Sequence, residues 1–413
     1  MFSWAGLAAA LGPVVGGALA ESNWRWIFYL NVPICIVALA TILLFMRVQY
    51  TRSSSYTLLQ SLARIDHLGN LIFIPSIIAI LFGLVMGGVQ YPWSSWRIIL
   101  PLVLGFLGWI AFHIHQSSRI CVEPSIPARL FNNRTSATAF VLTFTSSIIV
   151  QMQSYFLPVY FQAVKGTTAM QAGVSFLPFA IGTLVFAVLA GTLLSKYGAY
   201  RPLHAAAFAM SSIGFGLFTL LQDDSAKATW VCFQLIASAG TGLVLSVLLP
   251  AIMAALPESD VAASSAAYSF VRTFGYIWGV TLPSTIFNAQ FNKHLFGISD
   301  TRVRGLLRDG AAYAYASGQF INKLEFQTRR EVIDIYTVSL KAVWWMGLAI
   351  SLISFLAVGG ERGLELRKEL ETEYGLDEAQ ASDQSQTRNG EEKSRDGNVR
   401  ERKLDRELVE KQQ

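Results

Sequence analysis

A chain of 413 residues that is 53% hydrophobic and only 14% charged is poor in charge beside a soluble domain, where roughly a quarter of the residues are charged. With a mean hydropathy of +0.44, it reads as an all-α polytopic membrane protein. The formal net charge of +5 does not indicate a nucleic-acid partner, because it divides by region. From Glu361 onward the tail holds 11 basic and 15 acidic residues, and the remaining body holds 21 and 12, a surplus that a positive-inside bias would leave. Cys35, Cys121 and Cys232 show no ligand spacing, which argues against a disulfide framework and against a zinc site. The chain opens on an apolar run with no basic flank or clear cleavage site, so no signal peptide is expected.

The first two apolar runs carry the densest signal, GPVVGGALAESNWRWIFYLNVP from Gly12 to Pro33. Ala5, Ala9, Gly12, Gly16 and Ala20 recur every three or four residues, forming one small-residue stripe that lets helix backbones approach closely in lipid. Pro13 removes a backbone donor inside that helix and predicts a bend. Trp24, Arg25 and Trp26 fall between the two runs, where amphipathic rings settle at the headgroup level and an arginine can snorkel. A tight turn at the membrane surface follows.

Gly12, Pro13, Gly16 and Gly17 read as GPxxGG, and Trp24, Arg25, Trp26, Phe28, Asn31 and Pro33 as WRWxFxxNxP. In this order and spacing the pair resembles the major facilitator superfamily, in its 14-helix drug:proton antiporter branch. The resemblance implies a helical transporter moving small molecules against protons, with the glycine motif acting in conformational switching. In that branch GPxxGG lies on the fifth helix, so the resemblance aligns residues up to Gly360 with family helices five to fourteen. Four family helices, with the first-helix acid and the fourth-helix arginine of proton coupling, have no counterpart here. The expected organisation is 1–46 as the last two helices of the N-terminal bundle and 47–133 as a cytoplasmic loop with a two-helix insert. Residues 134–360 would form the six-helix C-terminal bundle and 361–413 a charged cytosolic tail.

Counting apolar runs of about 20 residues predicts spans over roughly 2–21, 26–46, 67–89, 96–116, 135–158, 171–194, 203–221, 229–254, 263–287 and 334–359. Arginines and lysines follow the second, fourth and sixth spans, and the alternate short loops offer almost none. Both termini are therefore expected in the cytoplasm. The long segment 289–332 is expected outside, with a short amphipathic helix. Asp66 in IDHLGN reads as a helix cap. His113 and His115 are two apart, so they diverge around a helix and do not make a paired metal site.

In the fifth span Gln151 and Gln153 put amides into an apolar layer, where polar groups face the bundle interior. Their spacing sends them to different faces, which leaves Gln153 either on a substrate path or in a helix-to-helix hydrogen bond. Gly191, Ser195, Lys196, Gly198 and Arg201 resemble the family's GxxxDRxGRR loop, with Ser195 where the aspartate would be; the copy reads as a hinge. Arg272 in SSAAYSFVRTFGYIWGV falls about ten residues into its span, where a bare charge costs at least about 2.5 kcal/mol. It is a candidate for coupling or anion binding, or else an arginine packed on helix-end carbonyls.

The expected activity is efflux of small amphipathic compounds by proton antiport at the plasma membrane, in a longer parent or a partner-completed assembly. Gly12, Pro13, Gly16 and Gly17 are the expected switch, and Trp24, Arg25, Asn31 and Pro33 the interface signature. Arg272, Gln153, Phe156 and Gln234 are the expected substrate or coupling residues. An inactive truncation or membrane scaffold is the alternative from another class, and an uptake permease for a compound such as an iron chelate is a third. No cofactor is implied, and no His, Asp, Glu or Cys cluster recurs at catalytic spacing, so an enzyme is not expected.

Overall fold

The computed structural model describes residues 2–45, 66–118, 121, 124, 127–364 and 366, with the backbone alone for 2–10. Ten helices of 19 to 34 residues stand where the ten apolar runs predict them. They are α1 (Phe2–Asn23), α2 (Arg25–Phe45), α3 (His67–Met86), α4 (Trp96–Gln116), α5 (Arg134–Val159), α6 (Ala169–Tyr197), α7 (Tyr200–Phe218), α8 (Lys227–Leu245), α10 (Val261–His294) and α13 (Phe326–Ala357). Among the described residues there are also three short α-helices, α9 (Leu248–Ala254), α11 (Thr301–Leu306) and α12 (Gly318–Ile321). Among the described residues, seven spans are both long and apolar enough to cross a membrane: α2, α3, α4, α5 extended to Val164, α6, α8 continued through α9, and α13 extended to Gly360. The other three long helices pack among these, α1 on α6, α7 on α8 and α13, and α10 on α5 and α13.

The chain divides into two compact units, residues 1–28 with 62–367, and 29–61 with 368–413. In the second unit the described part is the continuation of α2 from Tyr29 to Phe45. No residue of α2 is buried, and its large apolar side chains from Phe28 to Phe45 are 42–78% exposed. A surface that apolar is solvated by lipid or covered by protein, not left in water.

Local chemistry sets the helix ends of the first unit. Asp66 caps α3, its Oδ1 accepting from the Gly69 amide at 2.8 Å, and Ser95 caps α4 in the same way. Thr168 and Gln171 form a reciprocal capping box at the start of α6. That helix ends on Gly198, whose φ of 67° is open to glycine without strain. Pro158 lies in the last turn of α5 and is followed by a π-helical turn, Tyr160–Val164, the kind of irregularity a missing backbone donor allows. The predicted eighth span is broken after Leu245, where Ser246 Oγ donates to the Ala187 carbonyl at 2.9 Å and α9 begins afresh.

Small residues decide which helices approach most closely. On α10, Gly275 and Gly279 face α5, where an added Cβ would stand 2.7 Å from the Phe144 carbonyl oxygen and 2.8 Å from that of Ile148. The α3–α4 hairpin meets α10 through Phe73, whose ring lies 5.8 Å from Phe270 and 5.9 Å from Phe274, and through Thr285 Oγ1, which donates to the Leu84 carbonyl at 3.1 Å. In the segment expected to hold one short amphipathic helix, α10 and α13 instead extend inward from both ends, with α11 and α12 between them.

The charged tail begins inside the first unit, not in solvent. Glu361 and His204 are both fully buried, and His204 Nδ1 lies 2.9 Å from each Glu361 oxygen. Arg362 donates its amide to Thr135 Oγ1 at 3.1 Å, and Leu364 donates to Tyr200 Oη at 3.1 Å. Residues 361–364 are not helical, and the rest of the tail, Leu366 aside, lies outside the described residues. Removing the carboxylate orphans the buried imidazole nitrogen, at a cost of about 1–3 kcal/mol. Glu361→Ala is therefore expected to lower the melting temperature of the detergent-solubilised protein, and Glu361→Gln to lower it less. Equal melting of all three would show that the pair contributes nothing.

Candidate functional site

A cavity of about 270 Å³ opens among α5, α6, α8, α9 and α10. Its wall is amphipathic: hydroxyls of Thr143, Ser147, Ser154, Thr183 and Thr241 alternate with Val150, Phe176, Phe179 and Val244. Arg272, Tyr268 and Tyr276 close one side. The hydroxyls keep their apolar setting because most are already satisfied along their own helices. Thr143 Oγ1 donates to the Ala139 carbonyl at 2.8 Å, Ser154 Oγ to that of Val150 at 2.9 Å, and Thr183 Oγ1 to that of Phe179 at 2.8 Å. Each still offers a lone pair to a guest.

Arg272 supplies the cavity's charge. It is partly buried on α10, and its Nε donates to Tyr276 Oη at 2.7 Å, with the guanidinium carbon 5.7 Å from that ring's centre. The i, i+4 spacing of these residues stacks them on one face of the helix. Among the described residues, no aspartate or glutamate lines the cavity. A guanidinium held by phenols, with donors to spare, is a preorganised site for an acceptor or an anion.

The other expected cavity residues stand behind this wall. Gln153 is fully buried; its Oε1 accepts from Thr241 Oγ1 at 3.1 Å, so it steadies a lining residue through a helix-to-helix hydrogen bond. Phe156 packs in the core, 5.9 Å from the rings of Phe287 and Tyr313. Gln234 donates its amide to the Ser175 carbonyl at 3.0 Å. Sequence reading missed Ser147, Ser154, Phe179, Thr241, Tyr268 and Tyr276. Tyr276 alone had a local signal, since it lies four residues from Arg272.

The glycine motif sorts into two groups. Gly17 presses on the first turn of α6, where a Cβ would stand 2.6 Å from the Ala169 carbonyl oxygen, and Gly173 of α6 presses in turn on the Pro13 carbonyl. Glu21 Oε1 then accepts from the Met170 amide at 2.7 Å. Among the described residues, a Cβ added at Gly12 or Gly16 would meet nothing within 4 Å. α1 packs on α6, and the contact forms through Gly173, while a Cβ at Gly182 would meet Ser238 and one at Gly191 would meet no described atom within 4 Å. At the turn between α1 and α2, Arg25 lies over the Trp24 ring at 5.0 Å and its amide donates to Asn23 Oδ1 at 3.1 Å. Pro33 lies inside α2, and Asn31 lies on the same helix.

One group that spacing leaves apart is brought together at the hairpin. His115 and Cys121 both reach Asp66. Burial pushes the Asp66 carboxyl upward, but donors from Gly69, His115 and Cys121 outweigh it and hold its pKa below the usual value. Burial and the neighbouring Asp66 charge push the Cys121 thiol up.

Comparison with known proteins agrees with this architecture. The sequence pattern of the Major Facilitator Superfamily matches residues 1–280. The MFS efflux transporter aclA of Aspergillus oryzae is 45% identical over 372 residues, covering 90% of this chain and 67% of its own length. The MFS-type transporter gkaD of Penicillium citrinum is 44% identical over 91% of this chain and 64% of its own length. The MFS-type efflux pump LUC4 of a Fusarium species is 41% identical over 94% and 69%. The chain thus spans about two thirds of the length of these curated relatives. With a family pattern over most of the chain, apolar helices of membrane-crossing length and relatives at this identity, the chain belongs to the Major Facilitator Superfamily, a multi-pass membrane protein.

Proposed function

We propose that the chain serves efflux of small amphipathic metabolites across the plasma membrane, by alternating access coupled to proton antiport. The observation that carries this is the cavity itself, a pocket of hydroxyls and apolar walls with one guanidinium, set among membrane helices. Such a lining suits a compact amphipathic guest with an acceptor group better than a sugar, which needs many paired polar groups. The names of the relatives, efflux transporters and pumps, agree with outward transport. The seam of Gly17, Pro13 and Gly173 supports α1 as a moving wall: closely apposed backbones slide or rock without side chains to unlock. In this reading the termini face the cytoplasm, and the protein is a transporter with no catalytic step.

Expression in a host stripped of its own drug pumps tests the proposal. Cells carrying the protein should accumulate less of at least one amphipathic compound, and a protonophore should abolish the difference. Unchanged accumulation across a broad panel, with the protein confirmed at the membrane, would overturn it.

A further inference from the structure

The end of the α3–α4 hairpin assembles three side chains of different chemistry from distant parts of the chain. Asp66, at the mouth of α3, has its side chain 5% exposed, and His115, in the last turn of α4, has its side chain 10% exposed. His115 Nε2 lies 3.0 Å from Asp66 Oδ1, and Cys121 Sγ lies 3.6 Å from Asp66 Oδ2. One ligand atom from each falls within 4.8 Å of the other two. Around a tetrahedral zinc ion, bond lengths near 2.0–2.3 Å put nitrogen and oxygen donors about 3.4 Å apart and sulfur and oxygen about 3.6 Å apart. The two contacts that Asp66 makes, through its two different oxygens, are close to those separations, and the three donor atoms lie within 4.8 Å of one another.

A neighbouring group adds an independent sign of a guest. Gln116 Nε2 donates to Asp66 Oδ2 at 2.5 Å, yet Gln116 Oε1 is buried and has no hydrogen-bond partner among the described residues. A buried acceptor without a donor is costly. A water completing the coordination of a three-ligand ion would supply the missing proton. The donor set is also selective: carboxylate, imidazole and thiolate together favour zinc over magnesium or calcium, which take oxygen ligands.

We propose that Asp66, His115 and Cys121 form a zinc site that ties the start of α3 to the end of α4 and the segment after it. On binding, the Cys121 thiol releases its proton to solvent and the thiolate takes one coordination position. His115 Nε2 and an Asp66 oxygen take two more, and water takes the fourth. The site is separate from the cavity around Arg272 and does not depend on what that cavity carries.

Cobalt titration of the purified full chain is the direct test, because tetrahedral Co²⁺ absorbs in the visible and a cobalt–thiolate bond adds a near-ultraviolet charge-transfer band. One saturating equivalent is expected, displaced by Zn²⁺. Cys121→Ser should abolish the charge-transfer band, and His115→Gln should weaken binding by at least about tenfold. A Cys35→Ser, Cys232→Ser double variant should bind as the parent does, and in it Zn²⁺ should slow alkylation of the remaining Cys121. This last measurement needs no change at the site and so survives any folding defect of the ligand variants. Absence of a saturable band in the parent, a band that persists in Cys121→Ser, or alkylation indifferent to Zn²⁺ would overturn the proposal.

Discussion

Arg272→Ala should abolish most transport while leaving the protein as abundant in the membrane as before, or more so. The two halves of that expectation have separate physical origins. A charge within a membrane helix costs the fold at least about 2.5 kcal/mol, so its removal relieves the bundle. A hydrogen bond to a charged group contributes about 1.5–3 kcal/mol, so losing the guanidinium should reduce transport of an acceptor-bearing substrate about 10- to 150-fold. Arg272→Lys keeps the charge but not the fork that reaches Tyr276 Oη, and should restore only part of the activity. Tyr276→Phe leaves the cation without its phenol and should fall between the two. Efflux assayed in pump-deficient cells, with membrane abundance and melting temperature measured in parallel, separates the cases. An Arg272→Ala protein that melts lower and transports normally would make Arg272 a packing residue.

A leucine at Gly17 should be among the most damaging substitutions in α1, and a leucine at Gly12 or Gly16 should be tolerated. At Gly17 the obstruction is backbone, the Ala169 carbonyl and Met170 Cα at 2.6 and 2.9 Å from the new Cβ, and a first helical turn cannot step aside as a flexible side chain can. Overpacking of this kind costs about 1–3 kcal/mol, and it would also separate Glu21 from the Met170 amide that it caps. Gly173→Leu strikes the same seam from α6 and should reproduce the loss. Protease sensitivity and melting temperature report the packing, and efflux reports the function. Equal behaviour of Gly12→Leu and Gly17→Leu would mean that the seam does not hold α1 in the membrane.

The sequence by itself determined the ten long helices, because a bilayer demands about 20 apolar residues per span and apolar runs of that length are visible in one dimension. It also determined the Asp66 cap, since Asp66 and the Gly69 amide act within one turn. Arg272 stood out for the same local reason, a charge in an apolar run. Only the tertiary structure decided which way the helices face. In lipid the outer surface of a bundle is as apolar as its interior, so the periodicity that orients a soluble helix fades. That is why Gln153 and Phe156 stand behind the cavity wall and Ser154 and Tyr276 on it, and why Gly17 forms the seam while Gly12 and Gly16 do not. Distance along the chain hid the rest. His204 meets Glu361 across 157 residues, and Asp66 meets Cys121 across 55. A helix returning antiparallel creates such neighbours, and no spacing within one segment can announce them.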